Sequence, residues 1–183
     1  MDTDALLDRA GSGDTVARDQ LLAQYRERLK QMIRFRLDPR LAARIDSSDV
    51  VQETLASAAQ RLEQYLQLRP LPFYPWLRQI AWDKLVELHR FHFRHKRSVA
   101  REQPIDMRLS DQSVSQLANL LAASQSSPSA RIARTELAER IGRALGRLPI
   151  AEREILTLRH LEQLDTTETA AVLGISESAT KSR

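Results

Sequence analysis

Three groups of residues in this 183-residue chain have types and spacings that could do chemistry. Asp46, Asp49 and Glu53 recur at i, i+3 and i+7, which sets their carboxylates along one face of a helix. Such a trio could serve a metal-dependent nuclease. The same acids have two plainer uses: capping a helix start and complementing its dipole, or, with Gln52 among them, docking a basic partner helix. No catalytic His or Lys stands close by in sequence, which favours the plainer uses. The second group is His89, His92 and His95. At about 100° per residue their directions fan over roughly 120° of helix circumference. The chain has no cysteine and no carboxylate that converges on them, so neither a metal nor any other cofactor is expected.

The third group is basic. Lys84, Arg90, Arg94, Lys96, Arg97 and Arg101 fall within eighteen residues, with Glu87 the one acid before Arg97. Six of the nine aromatics lie between positions 73 and 93: Phe73, Tyr74, Trp76, Trp82, Phe91 and Phe93. Cations with interleaved rings suit single-stranded nucleic acid, because charge holds the backbone while rings stack on bases. The plain alternatives are a solvated helix end for the cations and a core position for at least one of Phe73 and Trp76.

Residues 166–183 add a further signal. A short helical pattern with Glu168, Ala170, Ala171 and Leu173 is followed by Gly174, and a second helix opens after Ile175 at Ser176. This is a helix-turn-helix, whose second helix enters a DNA major groove. That helix is only a couple of turns long at Arg183, so the groove-reading element reads as C-terminally incomplete.

These residues need a scaffold, and the composition makes it helical. The five glycines sit near the start and in the last quarter; between them run long stretches rich in Leu, Ala, Arg, Glu and Gln, with no period-2 runs of β-branched residues. The chain reads as all-α. Leu6, Leu7 and Ala10, then Ala17, Leu21, Leu22, Tyr25, Leu29, Met32 and Ile33, form amphipathic patches broken at Gly11–Asp14, with Asp14 a cap. A long helix follows from Asp46–Asp49, with Val50, Val51, Leu55, Ala58, Leu62 and Leu66 inward. Pro70, Pro72 and Pro75 predict a stiff loop, and the next helix is expected from about Trp76. Residues 98–130 are rich in Ser and Gln and read as a flexible linker, in which Val114, Leu117, Leu120 and Leu121 could form one short helix. Amphipathic helices resume in 131–183. The expectation is two small helical domains, 1–97 and 131–183.

The net charge of +4 agrees with a nucleic-acid partner but is also common for a solvated surface. Zero cysteines exclude a disulfide framework and a thiol nucleophile. No apolar run approaches the length of a membrane span, and the opening Met1-Asp-Thr-Asp is unlike a signal peptide, so a cytoplasmic protein without membrane insertion is expected.

Taken in order along the chain, these motifs resemble a bacterial RNA polymerase sigma factor of the sigma-70 superfamily, extracytoplasmic-function type. Gly13-Asp14-x-x-Ala17, Leu21, Leu22 and Tyr25 resemble the family's opening helices. Asp49-Val-Val-Gln52-Glu53-Thr54 resembles its polymerase-binding motif, and Phe73-x-x-Trp76-Leu77-x-x-Ile80-Ala81 its promoter-melting segment. Leu145-x-x-Leu148-Pro149-x-x-x-Arg153-Glu154, Leu158-Arg159 and the helix-turn-helix, ending Lys181-Ser182-Arg183, resemble its second domain. Departures are Asp83, often Asn in the family, Glu87, often Asp, and Ser178-Ala179-Thr180 in place of a common Gly-Thr-Val, which sets Thr180 where an apolar residue is usual.

The resemblance implies a promoter-specificity subunit with no catalysis of its own. Domain 1–97 would bind core RNA polymerase at the clamp helices through Asp49, Gln52 and Glu53. It would also hold the melted −10 element with Phe73, Tyr74, Lys84, Arg90, Arg94 and Arg97. Tyr74 is the expected stacking ring, with Trp76 and Leu77 anchoring the helix in the core. Domain 131–183 would read the −35 element with Glu177, Ser178, Lys181 and Arg183 and touch the polymerase flap. Residues 98–130 would thread near the RNA exit path, and an anti-sigma factor is a further partner the family allows. The competing readings are a helix-turn-helix regulator with a helical sensor domain, which leaves Asp49–Thr54 unexplained, and the nuclease built on the carboxylate trio.

Overall fold

The computed structural model describes residues 2–94, 111–123 and 131–182, and every regular element among them is helical. Helices α1 (Thr3–Gly11) and α2 (Thr15–Gln24) form a hairpin. Asp14 sets the turn: its Oδ1 accepts from the Ala17 amide at 3.0 Å as the α2 cap, and its Oδ2 takes the Arg9 guanidinium. Helix α3 (Arg26–Arg36) and the short α4 (Pro39–Ala42) lead to α5 (Ser47–Leu68). Asp46 caps α5, accepting from the Ser48 amide at 2.8 Å, a bond that holds its carboxyl below the usual range.

Helix α6 spans Phe73–Arg94. It starts three residues earlier than the proline pattern predicts. Pro75 falls in the first turn, where its missing N–H removes no helical bond. The stiff connection therefore shrinks to 69–72, and Phe73 and Tyr74 become helical and buried. Helices α1, α2, α3, α5 and α6 enclose one core in which Leu6, Leu21, Leu29, Met32, Ile33, Val50 and Leu77 are fully buried.

The second half begins earlier than expected. Helix α7 (Asp111–Ala123) packs along α8 (Arg131–Arg147), and Leu117, Ala118, Leu145 and Leu161 form a small core of their own. The predicted short helix inside residues 98–130 is thus part of the second domain's packing. Leu117→Ala is expected to destabilise that domain by about 2–5 kcal/mol, the cost of a core leucine cavity. Chemical denaturation measures it; a leucine in a linker would leave the midpoint unmoved.

Helix α9 (Ile150–Leu156) widens into a π-helical turn, Thr157–Leu161, followed by α10 (Thr166–Leu173) and α11 (Glu177–Ser182). The two halves are not separate bodies. Leu158 and Leu164 belong to the first domain's core, Val172 and Leu173 pack against it, and Phe35 of α3 packs on the second core.

Candidate polymerase and nucleic-acid interfaces

The long helix α5 divides its faces as the periodicity requires. Val50, Val51, Leu55, Ala58 and Leu62 are buried, whereas Asp49, Gln52 and Glu53 are exposed one turn into the helix. Thr54 is turned inward and donates its hydroxyl to the Val50 carbonyl at 2.7 Å. Asp46 sits at the cap in extended conformation rather than on the helical face. Among the described residues no group of three His, Cys, Asp or Glu is placed to hold a metal ion. The arrangement offers two carboxylates and an amide on a firm helical backing, a surface suited to a complementary charged partner.

The rings of α6 are distributed differently from the expectation. Tyr74 is 1% exposed and stacks on Tyr25, ring centroids 5.7 Å apart, with the Arg28 guanidinium 3.6 Å above its ring. Burial pushes its phenol well above the ordinary range, and the nearby Glu162 adds to that direction. Phe73 is equally enclosed, within 5.3–5.6 Å of Tyr25, Tyr65 and Trp76. Trp76 is only partly buried. The expectation that Tyr74 is a presented ring is therefore not met in this conformation, whereas Trp76, half-buried, packs on the core beside Tyr65 and Leu77 is fully buried. The reason is the early helix start, together with the second domain: Asp165, Thr167 and Glu168 line the same recess as Phe73 and Tyr74. Of the cations, Lys84 pairs with Glu87 at 3.4 Å and Arg90 is exposed. The Arg94 side chain and Arg97 lie outside the described residues.

The helix-turn-helix is locally well made. Asp165 and Glu168 form a reciprocal capping box on α10, at 2.7 and 3.0 Å. Gly174 turns the chain at φ 64°, where a side chain is disfavoured, and Ser176 Oγ caps α11 through the Ala179 amide. Glu177, Ser178 and Lys181 are exposed, and Glu177 accepts a bond from Thr167 Oγ1 at 2.8 Å. Arg183 lies outside the described residues. Thr180 occupies a buried position and satisfies its hydroxyl on the Ser176 carbonyl, so a polar residue fits where the family favours an apolar one.

The sequence reading missed the groups that join the halves. The π-helical turn ends with the Glu162 amide bonded to the Thr157 carbonyl, and Gln163 follows in left-handed conformation, φ 55°. This aims Glu162 into the first domain, where it is 1% exposed. Its Oε1 accepts from Arg36 Nε at 2.8 Å and its Oε2 from Arg78 Nε at 2.6 Å. Glu154 receives both terminal nitrogens of Arg36, at 2.6 and 2.9 Å. Arg28 forks onto Glu168 and donates to the Gln163 carbonyl at 3.0 Å. Burial pushes the Glu162 carboxyl up, but Arg36 and Arg78 outweigh it and the net direction is down. The available signal was an arginine on each of two apolar stripes: Arg36 continues Met32 and Ile33, and Arg78 continues Tyr74.

Comparison with known proteins agrees with the geometry. Residues 138–183 match the family described as Sigma-70, region 4. The chain is 32% identical to RNA polymerase sigma factor CnrH of Cupriavidus metallidurans over 176 residues, 96% of this chain and 84% of the relative. It is likewise 32% identical to RNA polymerase sigma factor NccH of Alcaligenes xylosoxydans xylosoxydans, covering 98% and 87%. A match to the probable RNA polymerase sigma factor RfaY of Xanthomonas campestris covers 75% of this chain but 31% of that protein, at 33% identity. Among solved structures, CnrH in complex with the cytosolic domain of CnrY superposes with a TM-score of 0.52 at 28% identity, over 99% of this chain and 89% of that one. The two-part helical fold, the helix-turn-helix and these full-length likenesses place the chain in one family: it belongs to the RNA polymerase sigma factors of the sigma-70 family, extracytoplasmic-function type.

Proposed function

We propose a division of labour for this sigma factor within initiation. The exposed Asp49–Gln52–Glu53 face of α5 docks on core polymerase, the first domain holds the opened −10 strand, and α11 reads the −35 element through Glu177, Ser178 and Lys181. The protein works by binding alone, in the cytoplasm, and its other partner is an anti-sigma factor, a protein that binds the sigma factor itself, by analogy with CnrH in complex with the cytosolic domain of CnrY. The observation that supports this most is the coexistence, on one short chain, of a solvent-facing acidic and amide patch on α5 and a helix-turn-helix with its second helix exposed.

The packed domains impose one condition. Elements named −10 and −35 are about 25 base pairs apart, roughly 85 Å at 3.4 Å per base pair. A compact chain of this length has a radius of gyration of about 16 Å. It cannot span both elements with its halves together, so the second domain leaves the first in the initiating complex. Run-off transcription with core polymerase tests the function. Transcripts that start at a defined site and require this chain are the expected result. A chain that binds DNA as a dimer without core, and gives no transcript with it, is instead an ordinary regulator.

A further inference from the structure

The second helix of the helix-turn-helix sorts its side chains by direction. At about 100° per residue, Glu177, Ser178 and Lys181 fall within roughly 100° of one another. All three are exposed, while Thr180 on the other side is buried. Glu177 and Lys181 stand at i and i+4 with the acid first, the order that favours an ion pair along a helix. Among the described residues no such pair joins them. Instead the Glu177 carboxylate reaches back across the Gly174 turn to α10, where its Oε1 accepts from Thr167 Oγ1 at 2.8 Å. Thr167 is itself exposed, in the first turn of α10.

That bond has two effects. Fixing a long glutamate side chain on DNA costs rotamer freedom, and here the freedom is given up before DNA arrives. The bond also occupies one carboxylate oxygen, and among the described residues Oε2 has no donor. Lys181, unpaired, stays available to a phosphate or a guanine.

An ionised carboxylate only accepts hydrogen bonds. In the major groove guanine presents N7 and O6 and thymine presents O4, acceptors that repel it. Adenine presents an amine beside the N7 acceptor. Cytosine presents its N4 amine with no acceptor on that edge. Base contacts of a groove-reading helix come from its N-terminal residues, where Glu177 stands. Near phosphate its charge is repulsive, so it weakens binding to every sequence that lacks the amine.

We infer that Glu177 selects a cytosine within the −35 element, and that Thr167 is the positioning residue that aims it. The inference rests on the assignment of α11 to the −35 element. It deepens that assignment from a helix that enters the groove to the base that one side chain reads.

For the test, holoenzyme assembled from core polymerase and this chain is bound to promoter fragments randomised across the −35 element, and the bound fraction is sequenced. Wild type is expected to favour cytosine at one position on the order of tenfold over the other bases. Glu177→Gln should move that preference to adenine, whose N6 and N7 an amide matches with two bonds, and leave the other positions as they were. Thr167→Val keeps the side-chain shape and loses the hydroxyl. It should erode the cytosine preference several-fold with the other positions unmoved, and Thr167→Ser should restore it. An unchanged cytosine preference in Glu177→Gln overturns the inference, as does a wild type that selects other bases but no cytosine. A Thr167→Val variant that alters no position, or weakens all of them alike, overturns the role given to Thr167. A wild-type holoenzyme that selects no base anywhere in the element removes the −35 assignment itself, a distinct failure that takes the inference with it.

Discussion

Glu162→Ala is expected to release the second domain from the first. Removing one partner from a buried ion-paired network leaves uncompensated charge and typically costs about 3–5 kcal/mol. Here the loss would strand Arg36 and Arg78, both buried and both paired with Glu162 of the second domain. The chain has a cheaper response than unfolding: it can open and hydrate both guanidiniums. Small-angle scattering should show expansion, with helicity by circular dichroism nearly unchanged. A variant that stays compact, or that loses its helices together with its packing, contradicts the lock. Acid should act in the same direction. The Glu162 carboxyl lies below its ordinary value of 4.5 when closed. Its contribution is therefore complete above the ordinary glutamate range and is lost as pH falls beneath it. The closed form should hold at neutral pH and open in acid, and Glu162→Gln should abolish the Glu162-linked part of that transition.

Gln52→Ala/Glu53→Lys is expected to abolish co-purification with core polymerase. Both side chains are exposed on α5 while Val50, Val51 and Leu55 carry the packing, so helicity and melting temperature should move little. The change removes one amide and reverses one charge. Mispaired like charges at an interface cost several kcal/mol, enough to move a nanomolar complex beyond micromolar when added to lost hydrogen bonds. Undiminished core binding by this variant would remove the polymerase assignment from α5.

The sequence was most legible where local rules decide. Asp14, Asp46 and Ser176 cap the helices their positions predict, Gly174 takes the left-handed turn, and the inward residues of α5 are buried as the period requires. It misled at Phe73 and Tyr74, because three prolines looked like a loop whereas Pro75 is compatible with a first helical turn. It was silent on the contact between the halves. Arg36 and Arg78 stand on apolar stripes, but the acids that pair with them and with Arg28 lie more than seventy positions away, and no periodicity records that pairing. Helix α7 was half legible: its apolar spacing was visible, but its serine-rich flanks concealed that Leu117 is a core residue.

The central claim is that this sigma factor is closed by Glu162 when free and open when it initiates. The native chain has no cysteine, so Asp19→Cys on α2 and Ala144→Cys on α8, both exposed positions, give a doubly labelled protein for energy transfer between the halves. The account predicts high transfer in the free chain, and a fall to low transfer on adding core polymerase and promoter DNA. It also predicts low transfer in free Glu162→Gln without either. High transfer that persists in a holoenzyme shown to be transcribing would contradict it.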